Sequence, residues 1–230
     1  MIAAIIPARG GSKRIPDKNI KPFGGKPIIS YSIESAKETG VFDKIIVSTD
    51  SEEIANVAKR VGAEVPFLRP AELADDFIPT APVLMHAIQW LLDRGMDVKY
   101  FCCIYATAPF IHPKYIKEGF DLMMEKGVSS VFSVTTYAFP IHRSLKLNEK
   151  ENLEMFWPEY EMVRSQDLPE AYHDAGQFYW LETTSFLKGQ KIYTSDAMPV
   201  ILPRYLVQDM DTLEDWETAE RMFKAHSLGQ

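Results

Sequence analysis

Cysteine is scarce in this sequence, since only Cys102 and Cys103 occur among 230 residues. Neighbouring residues of a strand point to opposite faces of a sheet, so these two are poorly placed to bond to each other. Their spacing also matches no metal-binding pattern. Both are therefore expected to be core thiols in a reducing compartment, which favours a cytoplasmic location.

Long apolar runs and an excess of positive charge are lacking as well. No stretch approaches the ~18 consecutive apolar residues of a membrane span, and residues 1–7 have neither the basic leading segment nor the cleavage site of a secretory signal. The formal net charge is −7, whereas a general nucleic-acid binder needs a basic surface. We therefore expect neither a membrane nor a nucleic acid as a partner.

The basic residues near the start of the chain are unusually concentrated. Six of them lie between Arg9 and Lys26, with Asp17 as the one acid in that stretch. On an acidic protein this indicates a focused anion site, although a solvated surface loop would give the same pattern.

Apolar strands alternate with amphipathic helices along most of the chain, which predicts an α/β fold: a Rossmann-like, mainly parallel sheet flanked by helices. The predicted strands cover residues 2–7, 44–48, 100–105, 130–135, 177–181 and 197–202. The predicted helices cover residues 28–39, 51–61, 81–93, 113–125 and 211–226, with Ser51 as a candidate cap of the second. The alternation fails between about residues 137 and 172. We therefore predict a single domain, residues 1–230, with a small inserted dimerisation lobe at about 137–175.

In such sheets, ligands bind beyond the carboxyl ends of the strands. That rule predicts that four segments meet at one rim: the loop after Pro7, residues 48–50, residues 105–109 and the region around Asp209. The loop is the strongest local signal. Gly10 and Gly11 would let backbone N–H groups form a nest for phosphate oxygens, while flanking cations neutralise a triphosphate. It fits neither the P-loop nor the dinucleotide pattern G-x-G-x-x-G.

Residues 6–20 (IPARGGSKRIPDKNI) closely resemble the N-terminal signature of the CMP-acylneuraminate (sialic acid) synthetase family. Residues 67–74 (FLRPAELA) and 164–169 (RSQDLP) resemble two further motifs, and Asp209-Met210-Asp211 resembles the metal-binding aspartate pair of the family. These motifs span nearly the whole chain. The resemblance implies a fold of the nucleotide-diphospho-sugar transferase type, a homodimer, and transfer of CMP from CTP to an acidic nine-carbon sugar with release of pyrophosphate.

The resemblance also implies roles for individual residues. CTP would be bound by a set comprising Ala8, Arg9, Gly10, Gly11, Ser12, Lys13, Lys18, Asn19, Arg69 and Thr80. The sugar would be bound by Tyr105, Arg164, Gln166 and Tyr179, with Arg164 holding its carboxylate. Asp209 and Asp211 would hold Mg²⁺, and Arg9, Lys13 and Asp211 would carry the chemistry. Gln166, Asp167 and Tyr179 could equally be structural, whereas for Arg69 the shared motif favours binding over the role of a structural arginine before a proline.

The spacing of the two aspartates is compatible with Mg²⁺ binding and also with a role at the start of the last helix. In an extended chain, their carboxylates would point to the same side, about 6–7 Å apart, which suits Mg²⁺. Acids here also favour the start of the last helix, so Asp211 could cap that helix as well as coordinate. His173 is a candidate general base, although a lone histidine is more often structural.

Two positions depart from typical sialic acid enzymes. Tyr105 stands where those enzymes carry a sugar-binding glutamine, and residues 173–180 (HDAGQFYW) replace an Asn-Gly-Ala pattern. Residues 165–180 look more like the corresponding segment of pseudaminic acid cytidylyltransferases, whose sugar is a doubly N-acylated, deoxygenated relative of sialic acid. A more aromatic pocket suits a sugar with fewer hydroxyls. Sialic and legionaminic acids are the alternative substrates.

Two other classes of function remain as alternatives. The first is a phosphatase, because Asp209-Met-Asp-Thr212 resembles the D-x-D-x-T nucleophile motif but lacks the residue before the threonine. A nucleotide-binding regulatory module without activity is the other, although a module that only binds has little need of the aspartate pair.

Overall fold

The computed structural model describes residues 1–227. Its strands are β1 (Ile2–Pro7), β2 (Pro22–Phe23), β3 (Lys26–Pro27), β4 (Lys44–Ser48), β5 (Tyr100–Ile104), β6 (Ser130–Thr136), β7 (Leu145–Leu147), β8 (Leu153–Met155), β9 (Tyr172–Glu182) and β10 (Met198–Ile201). Its helices are α1 (Ile29–Glu38), α2 (Glu52–Val61), α3 (Thr80–Leu92), α4 (Pro113–Lys126), α5 (Thr183–Gly189) and α6 (Leu213–Ser227). Ser51 caps α2 as predicted, because its side chain accepts a hydrogen bond from the Ile54 N–H at 3.4 Å.

The central sheet has the strand order β10-β6-β9-β5-β1-β4. β1 is parallel to β4 and β5, and β10 is parallel to β6, which confirms the predicted mainly parallel α/β architecture. β9 is antiparallel to both of its neighbours, β5 and β6. β9 also begins at Tyr172, earlier than the predicted strand, so its first residues lie within the stretch predicted as the inserted lobe. Its N-terminal end consequently lies at the same edge as the carboxyl ends of β5 and β1.

Alternate strand residues enter two separate cores, one on each face of the sheet. Ala4 and Cys102 pack against α1, α2 and α4, whereas Ala3 and Cys103 pack against α3 and α5. The two cysteines are therefore buried on opposite faces, and both are free thiols. Helices on both faces explain why the strands are apolar almost throughout.

A third cluster joins α6 to the hairpin formed by β2 and β3. Trp216 and Ala219 of α6 are buried against Phe23 of the hairpin. Leu213, which fits the apolar spacing of this helix in the sequence, is instead 56% exposed at its first turn. Within residues 1–227, no helix combines the length and the apolar character needed to cross a membrane.

Residues 137–171 lie between β6 and β9 and lack the strand–helix alternation of the rest of the chain. They contain the two-stranded antiparallel ribbon β7–β8 and short 3-10 turns. The ribbon carries exposed leucines on both strands, namely Leu145, Leu147 and Leu153. Leucines in this number on one ribbon form an apolar surface that the rest of the described chain does not cover.

Candidate active site

The four segments predicted to meet at one rim do so: hydrogen bonds join three of them, and Tyr105 of the fourth lines cavities together with Arg9 and with Asp209. The N–H of Ala8, after β1, donates to the Ser48 carbonyl at the end of β4 at 2.9 Å. Lys18 Nζ donates to the Met210 carbonyl at 2.8 Å. This bond ties the loop between β1 and β2, called the basic loop below, to the segment before α6. The carbonyl of Tyr105, after β5, accepts from Ser32 Oγ of α1 at 2.7 Å.

Of the two glycines in the basic loop, Gly10 serves close packing, whereas a Cβ at Gly11 would meet nothing within 4 Å. Neither Gly10 nor Gly11 has a positive φ. A Cβ at Gly10 would approach Cβ of Ser51 to 3.0 Å, so a side chain there would push the loop away from α2. The Gly10 N–H donates to Asp50 Oδ1 at 2.9 Å, so the amide predicted to face phosphate has a protein partner here. The buried Asn19 braces the loop by donating from Nδ2 to the Arg9 carbonyl at 2.8 Å.

Two predicted phosphate-binding cations converge on Asp76, a residue that the sequence did not single out. Arg9 Nη1 pairs with Asp76 Oδ1, and Lys13 Nζ lies 2.7 Å from Asp76 Oδ2. Hydrogen bonds from Lys13 and Arg9 lower the pKa of the Asp76 carboxyl, and the same contact raises the pKa of Lys13. A carboxylate thus sits where the loop would meet an anion. The signal in the sequence was slight: the acidic pair Asp75-Asp76 directly follows the Arg69 motif.

A cavity of about 200 Å³ opens beside the loop. It is lined by Pro7, Arg9, Ser12, Lys18, Asn19, Arg69, Ile78, Thr80, Val83, Tyr105, Ala106 and Thr107. Most of the predicted nucleotide-binding residues are in this set. Ala8, Gly10, Gly11 and Lys13 do not line the cavity and belong to the loop at its edge.

Arg69 is the buried cation of this cavity, only 6% exposed. Its Nη2 donates to the Ser48 carbonyl at 2.8 Å and its Nη1 to the Leu73 carbonyl at 3.2 Å, while Nε has no partner among the described residues. Burial lowers the pKa of Arg69, and Asp50 opposes that effect. The side chain therefore has a structural role and still retains a free donor, so the two interpretations of Arg69 are compatible.

A second cavity, of about 430 Å³, shares Tyr105 with the first. It is lined by Tyr105, His173, Asp174, Ala175, Gly176, Tyr179, Val207, Gln208 and Asp209. The hydroxyl of Tyr105 is 3.1 Å from Thr80 Oγ1, on the side of the first cavity, and its ring centroid is 5.2 Å from that of Tyr179 in the second. Tyr105 is therefore the wall between the two spaces. Burial raises the pKa of both phenols, which keeps them protonated as neutral donors.

The paired aspartates lie where these spaces meet the basic loop. Asp209 lines the second cavity, and Asp211 accepts hydrogen bonds from Arg14 at 3.0 Å and from Lys18 at 3.4 Å. Residues 1–227 contain no cluster of three histidine, cysteine or acidic side chains that could hold a metal. Two carboxylates suit Mg²⁺, which usually completes its shell with phosphate oxygens and water.

The start of α6 corrects one expectation about Asp211. Thr212 Oγ1 accepts from the Asp215 N–H at 3.1 Å, and Asp215 Oδ2 accepts from the Thr212 N–H at 2.7 Å. This reciprocal pair is a capping box, so Thr212 caps the helix and Asp211 does not. The Asp211 carboxylate consequently faces the basic loop.

Two predicted sugar-binding residues lie elsewhere. Arg164 pairs with Asp167 at 2.7 Å within residues 137–171, called the lobe segment below, and its side chain is 72% exposed. Gln166 lines a third cavity, of about 760 Å³, between the lobe segment and the end of β10. Neither residue lines the cavities that meet at Tyr105.

A basic loop and a paired-carboxylate segment at the carboxyl ends of an α/β sheet are the features expected of a nucleotide-binding transferase. The comparisons with known proteins are consistent with that class. The cytidylyltransferase family profile matches residues 3–226, and the chain belongs to this family of nucleotidyltransferase enzymes.

Individual relatives agree with the family. The chain is 42% identical over 222 residues to the pseudaminic acid cytidylyltransferase of Campylobacter jejuni, and the match covers 96% of each chain. It is 31% identical over 230 residues to the CMP-N,N'-diacetyllegionaminic acid synthase of Legionella pneumophila, covering 97% of this chain and 96% of that one. A solved CMP:2-keto-3-deoxy-manno-octonic acid synthetase complexed with CTP matches with a TM-score of 0.70 at 14% identity, over 98% of this chain and 99% of that one. At that identity the match supports the fold alone.

Proposed function

We propose that this enzyme transfers CMP from CTP to the anomeric hydroxyl of pseudaminic acid and releases pyrophosphate. The observation that carries the proposal is the position of Tyr105, which separates a cavity beside the basic loop from a second cavity beside the paired aspartates. Two substrates bound on either side of one residue would meet at its edge. That arrangement suits a direct attack of the sugar hydroxyl on the α-phosphorus.

The first cavity suits the cytidine end of CTP. Its volume of about 200 Å³ is below the roughly 300–1,000 Å³ of typical ligand sites, so only part of the nucleotide would lie inside it. Arg69, which lines this cavity, would place its guanidinium charge next to the base or the ribose. Thr80, at the start of α3, borders the same space.

The phosphates would then lie over the basic loop. Arg9 and Lys13 would exchange the Asp76 carboxylate for phosphate oxygens. Their charge would stabilise the pyrophosphate as it departs. Lys18 already reaches from the loop to Asp211 and would hold the loop near the paired aspartates.

Asp209 and Asp211 would hold Mg²⁺ at this junction. When bound, the ion supplies positive charge that lowers the pKa of the anomeric hydroxyl and neutralises phosphate oxygens. Arg14 and Lys18, which contact Asp211 here, would keep that carboxylate turned towards the phosphates.

The choice of pseudaminic acid rests on the second cavity and on the similar proteins. Tyr105 and Tyr179 give the cavity an aromatic wall, which suits a deoxygenated sugar better than one rich in hydroxyls. The C. jejuni relative supports the same choice.

We also propose a homodimer that pairs through the lobe segment, and a cytoplasmic location. The exposed leucines of β7 and β8 supply an apolar face for a second copy. The two free, buried thiols are consistent with a reducing compartment. Light scattering would test the first proposal, since a monomeric mass would reject it. Cell fractionation would test the second.

The reaction is tested by measuring pyrophosphate release from CTP and Mg²⁺ with pseudaminic acid and, separately, with N-acetylneuraminic acid. Release with pseudaminic acid alone supports both the reaction and the sugar. Release with N-acetylneuraminic acid alone keeps the reaction class and rejects the sugar. Binding of CTP without release with any nine-carbon sugar acid favours the inactive module. Phosphate release from a sugar phosphate without CTP favours the phosphatase.

A matched pair of variants tests the metal assignment. Asp209→Asn removes one proposed ligand and should lower turnover by at least ~100-fold, because the charge on the phosphorus centre is no longer stabilised. Glu217→Gln is the control, since Glu217 pairs with Arg221 on the exposed side of α6. Equal activity of the two variants would reject Asp209 as a ligand.

A further inference from the structure

Asp174 lines the second cavity, and no sequence pattern predicted a role for it. It occupies the N-terminal part of β9, where the register against β6 shifts between Phe132 and Val134. Gly176, with φ of +63°, forms part of this irregularity. Bulges re-aim side chains, and this one brings Asp174 next to Tyr179 of the same strand.

The carboxylate of Asp174 is held by three donors. Oδ1 accepts from the Gly176 N–H at 2.8 Å, and the Tyr179 hydroxyl lies 2.9 Å from Oδ1 and 2.8 Å from Oδ2. The Tyr193 hydroxyl also donates to Oδ2. A carboxylate has about four acceptor positions, and these donors supply three protons. One position is therefore left for a ligand.

The phenols around Asp174 remain donors at neutral pH. Burial, with the nearby Tyr105 and Asp174, raises the pKa of Tyr179, and burial together with the Asp174 hydrogen bond raises the pKa of Tyr193. Both hydroxyls are therefore available to donate to the Asp174 carboxylate.

The charge of the cavity limits what can face Asp174. Among the described residues that line it, Asp174 and Asp209 are acidic and none is a lysine or arginine. The carboxylate of a sugar acid would be repelled from Asp174, so this end of the cavity suits neutral N–H and O–H donors. A doubly N-acylated, deoxygenated sugar offers its amide N–H groups as such donors.

We infer that Asp174 determines sugar specificity by accepting a hydrogen bond from an acylamino N–H of the sugar. The inference rests on the proposed function and extends it to a named contact. Tyr193 acts as a positioning residue, because it holds Oδ2 of Asp174 but does not line the cavity. The acylamino group thus lies at the end of the cavity formed by the N-terminal part of β9, and the sugar's own carboxylate points away from Asp174.

The test compares wild-type enzyme with Asp174→Asn on two sugars. The readout is kcat/KM for doubly acylated pseudaminic acid and for singly acylated N-acetylneuraminic acid. If N-acetylneuraminic acid is not turned over, its inhibition constant as a competitive inhibitor is measured instead. Hydrogen bonds to charged groups predict a loss of roughly 10- to 100-fold for pseudaminic acid, mostly in KM. The loss for N-acetylneuraminic acid should be smaller, and the Kd of CTP should stay unchanged.

Tyr193→Phe is the second variant, and it covers the case in which Asp174→Asn does not fold. Tyr193 is 57% exposed, so loss of its hydroxyl should be tolerated. It should shift the preference between the two sugars in the same direction by about 2- to 5-fold, since only one of three donors to Asp174 is removed. Equal losses on both sugars, a changed Kd for CTP, or no change in sugar preference with either variant would overturn the inference. If wild-type enzyme releases no pyrophosphate with any acidic sugar, it is the proposed function that fails.

Discussion

At the residue scale, Asp76 neutralises part of the positive charge that the basic loop would offer to a nucleotide. Arg9 and Lys13 both pair with it, so a triphosphate bound as proposed would have to replace these contacts. Exposed ion pairs contribute little to stability, because water and salt screen them. The exchange is therefore small in free energy and reversible.

We predict that Asp76→Asn strengthens CTP binding by about 2- to 5-fold, since the competing carboxylate charge is gone. Calorimetric titration with CTP in the absence of Mg²⁺ measures this directly. Asp75→Asn is the matched control: its carboxylate accepts from the Phe77 N–H at 2.9 Å and pairs with neither cation. Weaker binding in Asp76→Asn would instead mean that Asp76 holds the loop in its binding shape.

The sequence predicted much of the site at this scale but not its internal partners. Arg9, Lys18, Arg69 and Tyr105 converge as expected because each follows a strand end or belongs to a long motif. Asp76 and Asp174 were missed, since what makes them important is a contact with distant residues. A hydrogen bond from Tyr193 to Asp174 leaves no trace in local spacing or composition.

At the element scale, β9 decides the shape of the second cavity. Its apolar core, residues 177–181, was predictable from composition, whereas its direction and its polar start were not. Direction depends on which neighbours a strand finds, and the long connection through residues 137–171 allows β9 to return antiparallel between β5 and β6. The early start at Tyr172 follows from pairing with Thr136 of β6.

Packing of α4 on β9 depends on Gly119. A Cβ there would lie 2.9 Å from Cδ1 of Trp180 and 3.1 Å from Cε2 of Phe178. The indole Nε1 of Trp180 donates to the Ile116 carbonyl of α4 at 2.8 Å, so this ring cannot shift without losing a buried hydrogen bond. The glycine therefore lets the helix approach the strand closely.

We predict that Gly119→Ala destabilises the protein despite the better helix propensity of alanine. Overpacking lowers the free energy of unfolding by about 1–3 kcal/mol, and the better helix propensity of alanine raises it by about 0.5–1 kcal/mol. The net decrease is therefore roughly 1–2 kcal/mol. Thermal unfolding should show Tm lowered by about 2–8 °C. Gly189→Ala in α5, where a Cβ would meet nothing within 4 Å, is the control and should leave Tm unchanged or raise it. A Tm for Gly119→Ala at or above wild type would show that Trp180 can move aside.

At the scale of the whole molecule, the distribution of charge matters more than its sum. The net charge of −7 coexists with a basic loop at the one rim where β1, β4 and β5 end. Lys18 and Arg14 of this loop cross to Asp211 before α6, so the two ends of the chain are joined through the site. A ligand at this rim would therefore brace segments that are far apart in sequence, and binding should be visible as global stabilisation.

We predict that CTP with Mg²⁺ raises the Tm of the whole protein. A ligand present at ~100 times its Kd adds about 2.7 kcal/mol of stability, which corresponds to a rise of about 5–11 °C for a chain of this length. Chelating Mg²⁺ with EDTA should remove part of the rise, because phosphate oxygens would then face Asp209 and Asp211 without an intervening cation. Asp211→Asn should abolish the Mg²⁺-dependent part and keep the rest, while Glu217→Gln should behave as wild type. A rise in wild-type Tm that is the same with Mg²⁺ and with EDTA would show that the aspartate pair plays no part in binding the nucleotide.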